Sequence, residues 1–157
     1  MKTIKLKIVT PEKVILEGEA TQITLPTKES GEITILPDHI PYLSILAPGL
    51  VEVKNGENKS IPMAISGGFL EFHENELTLL ADTAERAEEI DLERAEEARK
   101  RAERMILEER RNLSSEQYAT VVGQLEKQVA RIRVVKKYRP QALVRSEERR
   151  VGKECRS

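Results

Sequence analysis

The chain has 157 residues, 39% hydrophobic and 34% charged, with a net charge of −1. That is enough for one ordinary domain or a small domain with an appendage, and it excludes the global basic field of a nucleic-acid binder. Aromatics are 3% and Trp is absent, so the core must be aliphatic. One cysteine, Cys155, rules out an intrachain disulfide, and no stretch reaches the ~20 apolar residues of a membrane span. No apolar run follows a basic start, so no signal peptide is expected.

Ile4, Leu6 and Ile8 alternate with Lys5 and Lys7, the pattern of a half-buried strand. Pro11-Glu12 ends it. Val14–Leu16, Ile23/Leu25 and Glu32–Leu36 are further short runs, with turns at Gly18-Glu19 and Lys28–Gly31. Leu50–Val53 leads into Asn55-Gly56, a hairpin signal because both residues tolerate positive φ. Ile61–Ile65, Phe69–Phe72 and Leu77–Leu80 follow, with a turn at His73–Asn75. Many short strands at this spacing imply a β-sandwich or barrel, with Ile4, Leu6, Ile8, Ile23 and Leu25 facing its core.

From Asp91 the period changes. Leu92, Ala95, Ala98, Ala102 and Met105/Ile106 recur at three- and four-residue steps, predicting a helix over about 92–111 with Asp91 as its N-cap. Its other face is Glu, Lys and Arg, with pairs such as Glu97–Arg101 worth about 0.2–0.5 kcal/mol each. Ser114 and Gln117 make a capping box for a second helix over about 115–137, striped by Tyr118, Val121/Val122, Leu125, Val129 and Ile132. The two form an αα-hairpin whose alanine face buries little area. Charge follows the same division. Residues 1–81 hold 7 Lys/Arg against 11 Asp/Glu, and the remainder 19 against 16. Arg145–Ser157 has no periodicity and reads as a disordered tail of the kind a cloning or assembly scar leaves.

Catalytic chemistry finds little footing. Two histidines are too few for a metal cluster, no Ser or Cys nucleophile stands beside a base, and Gly67-Gly68 reads as a bulge or close backbone approach. His73 is expected in solvent beside Glu74. His39, between Pro37 and Pro41, either bonds within its stiffened loop or points outward. Asp91, Arg94 and Arg101 lie near one helical face, either as a cap with surface ion pairs or as donors and acceptors for a nucleotide.

Four segments carry a family likeness. Ile90-Asp91-Leu92-Glu93-Arg94-Ala95 resembles the I-D-x-x-R-A signature at the sandwich-to-helix junction of the epsilon subunit of rotary F-type ATP synthases. Gly31-Glu32 with Ile35-Leu36-Pro37-Asp38-His39-Ile40-Pro41 is similar to the family's G-E-x-x-I-L-P-x-H-x-P loop. Ser66–Glu71 resembles its S-G-G-F-L-E strand, and Leu79–Ala84 its V-L-A-D-T-A strand end. They occur in family order and cover residues 1 to about 138.

The resemblance implies an all-β antiparallel sandwich over 1–84, an αα-hairpin over 85–138 and a tail over 139–157. It implies a non-catalytic rotor subunit at the cytoplasmic face of the membrane. The sandwich would bind the gamma subunit and the c ring, with Glu29, Ser30, Gly31, Glu32 and His39 facing the ring. The hairpin would extend toward the alpha and beta subunits and block ATP hydrolysis, aided by the basic residues Arg131, Arg133, Lys136 and Lys137. No cofactor is required. In relatives that bind regulatory ATP, equivalents of Glu85, Asp91, Arg94 and Arg101 take part with second-helix arginines; Arg133 can stand at one of those places, while Val129 occupies the other. The alternative is a stand-alone ATP-binding sensor module.

Overall fold

A computed structural model describes residues 2–139. The expected tail lies outside these residues, apart from Arg139, which ends the second helix. The chain divides into two compact units, the first ending at Arg86 and the second beginning at Ala87.

The first unit holds ten strands among the described residues: β1 Ile4–Val9, β2 Val14–Ala20, β3 Gln22–Thr27, β4 Gly31–Ile35, β5 Tyr42–Leu46, β6 Gly49–Lys54, β7 Ser60–Ile65, β8 Gly68–His73, β9 Glu76–Ala81 and β10 Ala84–Arg86. They pair in the order β10-β7-β6-β3-β5-β8-β9-β1-β2, with β4 also on β3. The β3–β5 link is a single pair, Thr27 with Leu46, which lets the sheet fold over into two layers. Between them lie Ile23, Leu25, Val51, Val53, Met63 and Ile65 from one side and Ile4, Leu6, Ile8, Leu70, Phe72, Leu77 and Leu79 from the other, all buried. Each contributes on the order of 1.5–3 kcal/mol relative to exposure. The five core residues expected from alternation are all there. Pairing among the described strands is antiparallel except between β1 and β9, which run parallel.

Two details differ from expectation. The β6–β7 hairpin forms, but Asn55 and Gly56 do not take positive φ. The Asn55 side-chain oxygen instead accepts from the N–H groups of Glu57 and Lys59, and Asn58 takes the left-handed conformation at φ 57. The two-residue turn with both φ positive is Glu74-Asn75, at 50 and 60, between paired His73 and Glu76. Gly68 is a close approach as expected: at φ +139, a Cβ there would lie 2.0 Å from the Leu80 carbonyl oxygen.

In the second unit a short 3-10 turn, Ala87–Glu89, precedes α1, Leu92–Glu108. Asp91 caps α1, accepting from the Arg94 N–H at 3.3 Å. A second 3-10 turn, Arg110–Asn112, leads to α2, Ser115–Tyr138, whose capping box is complete: Ser114 Oγ accepts from Gln117 N–H at 3.2 Å, and Gln117 Oε1 from Ser114 N–H at 3.0 Å. The helices pack together as a hairpin. Leu92, Ala95 and Ala102 of α1 are buried as expected.

On α2 the single expected stripe is incomplete. Val129 is 47% exposed, whereas Val121, Ala130, Ile132, Val134 and Val135 are buried. At about 100° per residue, Val121, Ile132 and Val135 share one face, while Ala130 lies about 170° and Val134 about 130° from its centre. The C-terminal half of α2 is thus covered on more than one side, and Val129 falls on the flank left open.

Candidate functional site

Pairing in register carries side chains on one face from strand to strand. Ile45 pairs with Phe69, Phe69 with Leu80, Leu80 with Val9, and Val9 with Val14. Their sequence neighbours Leu46, Leu70, Leu79 and Ile8 are buried, so this row points outward. Ile45 is 44%, Phe69 55%, Leu80 53% and Val14 48% exposed, and Leu43, paired with Glu71 one row away, is 74% exposed. A contiguous apolar row across five strands is the mark of a docking surface. Sequence reading missed it, although its signal was present. In Ile45-Leu46, Phe69-Leu70 and Leu79-Leu80 both parities of a strand are apolar, which coats both faces.

The two expected loops are each held by a separate set of bonds. In the turn before β4, the buried Thr27 hydroxyl donates to Gly31 O at 2.8 Å and accepts from Ser30 N–H at 3.1 Å, with Gly31 at φ 69. This leaves Glu29, Ser30, Gly31 and Glu32 exposed. In the 36–41 loop, Asp38 takes φ 65 and exchanges bonds with Asn75: its N–H donates to Asn75 Oδ1 at 2.6 Å, and Asn75 Nδ2 donates to its Oδ1 at 3.0 Å. Lys2 Nζ donates to Asp38 Oδ2. The bonds from Lys2 and then Asn75 hold the Asp38 carboxyl below its usual range, and the bond to Asp38 raises the Lys2 ammonium.

His39 follows the loop-bonded alternative. Its Nδ1 bonds the Ile40 carbonyl at 2.8 Å. A carbonyl only accepts, so Nδ1 carries the proton. The ring stands edge-on to Phe72 at 5.9 Å and Tyr42 at 6.1 Å while remaining exposed. His73 is exposed, with Nδ1 4.0 Å from Glu74.

Of the residues expected around a nucleotide, Asp91 and Arg94 meet through the cap at the start of α1. Arg101 is two turns further along the same face, and both arginines are exposed. Arg133 is exposed on α2. Glu85 lies in the first unit, half-buried on β10, where its backbone pairs with Ala64. The basic group does not share one face. Arg133, Lys136 and Lys137 are exposed within about 100° of arc. Arg131 points to the other side of α2, half-buried, and donates to Gln128 Oε1 at 2.9 Å. Lys137 Nζ lies 5.3 Å from the centre of the Tyr138 ring. Among the described residues no helix is long and apolar enough to cross a membrane.

A two-layer β unit with an apolar outer row, followed by a capped helical hairpin, defines the class. Residues 3–87 match the family model described as ATP synthase, Delta/Epsilon chain, beta-sandwich domain. The chain is 47% identical over 134 residues to the ATP synthase epsilon chain of Herpetosiphon aurantiacus, covering 85% of this chain and 94% of that relative. It is 39% identical over 133 residues to that of Nitratidesulfovibrio vulgaris, covering 85% and 96%. A chain in the cryo-EM structure of the Euglena gracilis mitochondrial ATP synthase, OSCP/F1/c-ring, aligns with TM-score 0.69 and 27% identity over 79% of this chain and 76% of its own. The chain therefore belongs to the ATP synthase epsilon chain family, and is a non-catalytic subunit of that complex.

Proposed function

We propose that the chain is a rotor subunit of a proton-transporting ATP synthase at the cytoplasmic face of the membrane. Its sandwich docks on the gamma subunit through the Val9, Ile45, Phe69 and Leu80 row, and the 28–32 and 36–41 loops face the c ring. The row is the observation that carries this reading, since a subunit of a complex has reason to leave large apolar side chains in water only where a partner covers them. The Euglena assembly, whose name includes F1 and c-ring, supports the placement by fold likeness.

The hairpin regulates. Closed, it leaves hydrolysis free; extended, it reaches the alpha and beta subunits with Arg133, Lys136 and Lys137 leading and blocks hydrolysis. ATP favours the closed form only as far as it binds that form more tightly, with Arg94 and Arg101 as phosphate donors. A free-standing ATP sensor has less behind it, because the relatives are subunits and Val129 stands where a second phosphate donor is expected.

Two measurements test the reading. Phe69→Glu should weaken capture by gamma at least tenfold, about 1.4 kcal/mol, while the sandwich unfolds at its usual denaturant midpoint, because the side chain faces outward. Unchanged capture would remove the row as the docking face. Separately, a chain ending at Arg86 should assemble and raise ATP hydrolysis of the reconstituted complex. Hydrolysis unaltered with assembly confirmed would make the hairpin a scaffold.

A further inference from the structure

We propose that Arg139 is a latch that fastens the hairpin closed. Its Nη1 donates to the carbonyls of Ala87 and Ile90, each at 2.9 Å, joining the C-cap of α2 to a bend 52 and 49 residues earlier. Ala87 and Ile90 are 3% and 2% exposed. Their carbonyls flank the break between the 3-10 turn and α1. A guanidinium brings five donors and a positive charge, so each bond is stronger than a neutral one.

The geometry gives the side chain little slack. The Arg139 backbone N–H donates to Val135 O at 2.7 Å, which fixes the point from which the side chain leaves. At the other end the helices are joined covalently through the 109–114 turn, where Arg110 lies 5.6 Å from the centre of the Tyr118 ring. The hairpin thus has a hinge at one end and Arg139 at the other. Swinging α2 away from α1 requires both Arg139 bonds to break. This deepens the proposed regulation and rests on it for its biological consequence, though the latch itself is a property of the isolated chain.

The test uses the full chain with spin labels at positions 97 and 126 and Cys155 replaced by serine. The wild type should give a single short distance. Arg139→Gln should raise the long-distance population about tenfold, and Arg139→Lys, which keeps the charge but not the planar fork, should fall between them. Arg104→Gln, removing an exposed guanidinium elsewhere on the hairpin, should change nothing. If Arg139→Gln leaves the distances intact, and speeds amide exchange only after Val135, the residue merely caps its own helix and the proposal is overturned. In reconstituted complexes Arg139→Gln should lower hydrolysis. Should the distances shift while the Arg86 truncation leaves hydrolysis unchanged, the latch stands and the inhibitory reading falls. The converse pair of results sinks the latch alone.

Discussion

Gly67 and Gly68 enter β8 with φ +123 and +139, a region that side chains rarely adopt. The two positions differ in space. A Cβ on Gly67 would meet nothing nearer than 3.5 Å, whereas one on Gly68 would meet backbone of Leu80 and Ala81 that cannot move aside. Gly68→Ala is therefore expected to destabilise the sandwich by at least about 2 kcal/mol, and Gly67→Ala by about 1 kcal/mol from backbone strain alone. Urea unfolding of both variants measures the difference, and equal losses would mean that the approach to β9 relaxes without cost. The Gly-Gly pair was legible as a bulge or close approach; which of the two glycines is indispensable depended on β9, which sequence alone does not lay beside it. Arg139 was illegible for a similar reason, since its partners lie 52 and 49 residues away.

At the scale of elements, what could be read was whatever a local pattern controls. Asp91 and Ser114 cap their helices because a side-chain oxygen needs only the next turn to find its donors. The β5 strand escaped because its alternation is inverted, with Ser44 inside and Leu43 and Ile45 outside. The β10 strand, Ala84–Arg86, is too short to show any period. In α2 the expectation of one buried stripe gave way to two covered sides, and this can be tested. Val134→Ala should lower the stability of the second unit by about 2–3 kcal/mol, through two lost methyl groups and the space they leave. Val129→Ala should cost less than about 0.5 kcal/mol. Amide exchange across α2 reports both, and similar losses would return Val129 to the buried stripe.

For the molecule as a whole, charge distribution separates residues that a sequence count groups together. If the hairpin inhibits as proposed, replacing Arg133, Lys136 and Lys137 by glutamate should relieve that inhibition in reconstituted complexes several-fold, because these three are exposed on one face and would attract acidic surface. Arg131→Glu should relieve it less, since that side chain is turned away and bonded to Gln128. Equal relief per charge from the two sets of substitutions would mean that net charge, not its placement, drives the contact.

The parallel β1–β9 pairing has a consequence for how the protein is made. Lys5 pairs with Glu76, 71 residues later, so β1 can pair with β2 at once while its other edge waits for β9, almost the last strand of the unit. Long-range pairing of this kind is slow, and the waiting edge is exposed in the meantime. Once β9 clears the ribosome the sandwich can close while the helices are still being translated. On the proposed function, the docking unit is then ready for a partner before its regulator exists, and a nascent subunit joins the rotor unregulated for the seconds that the hairpin takes to emerge.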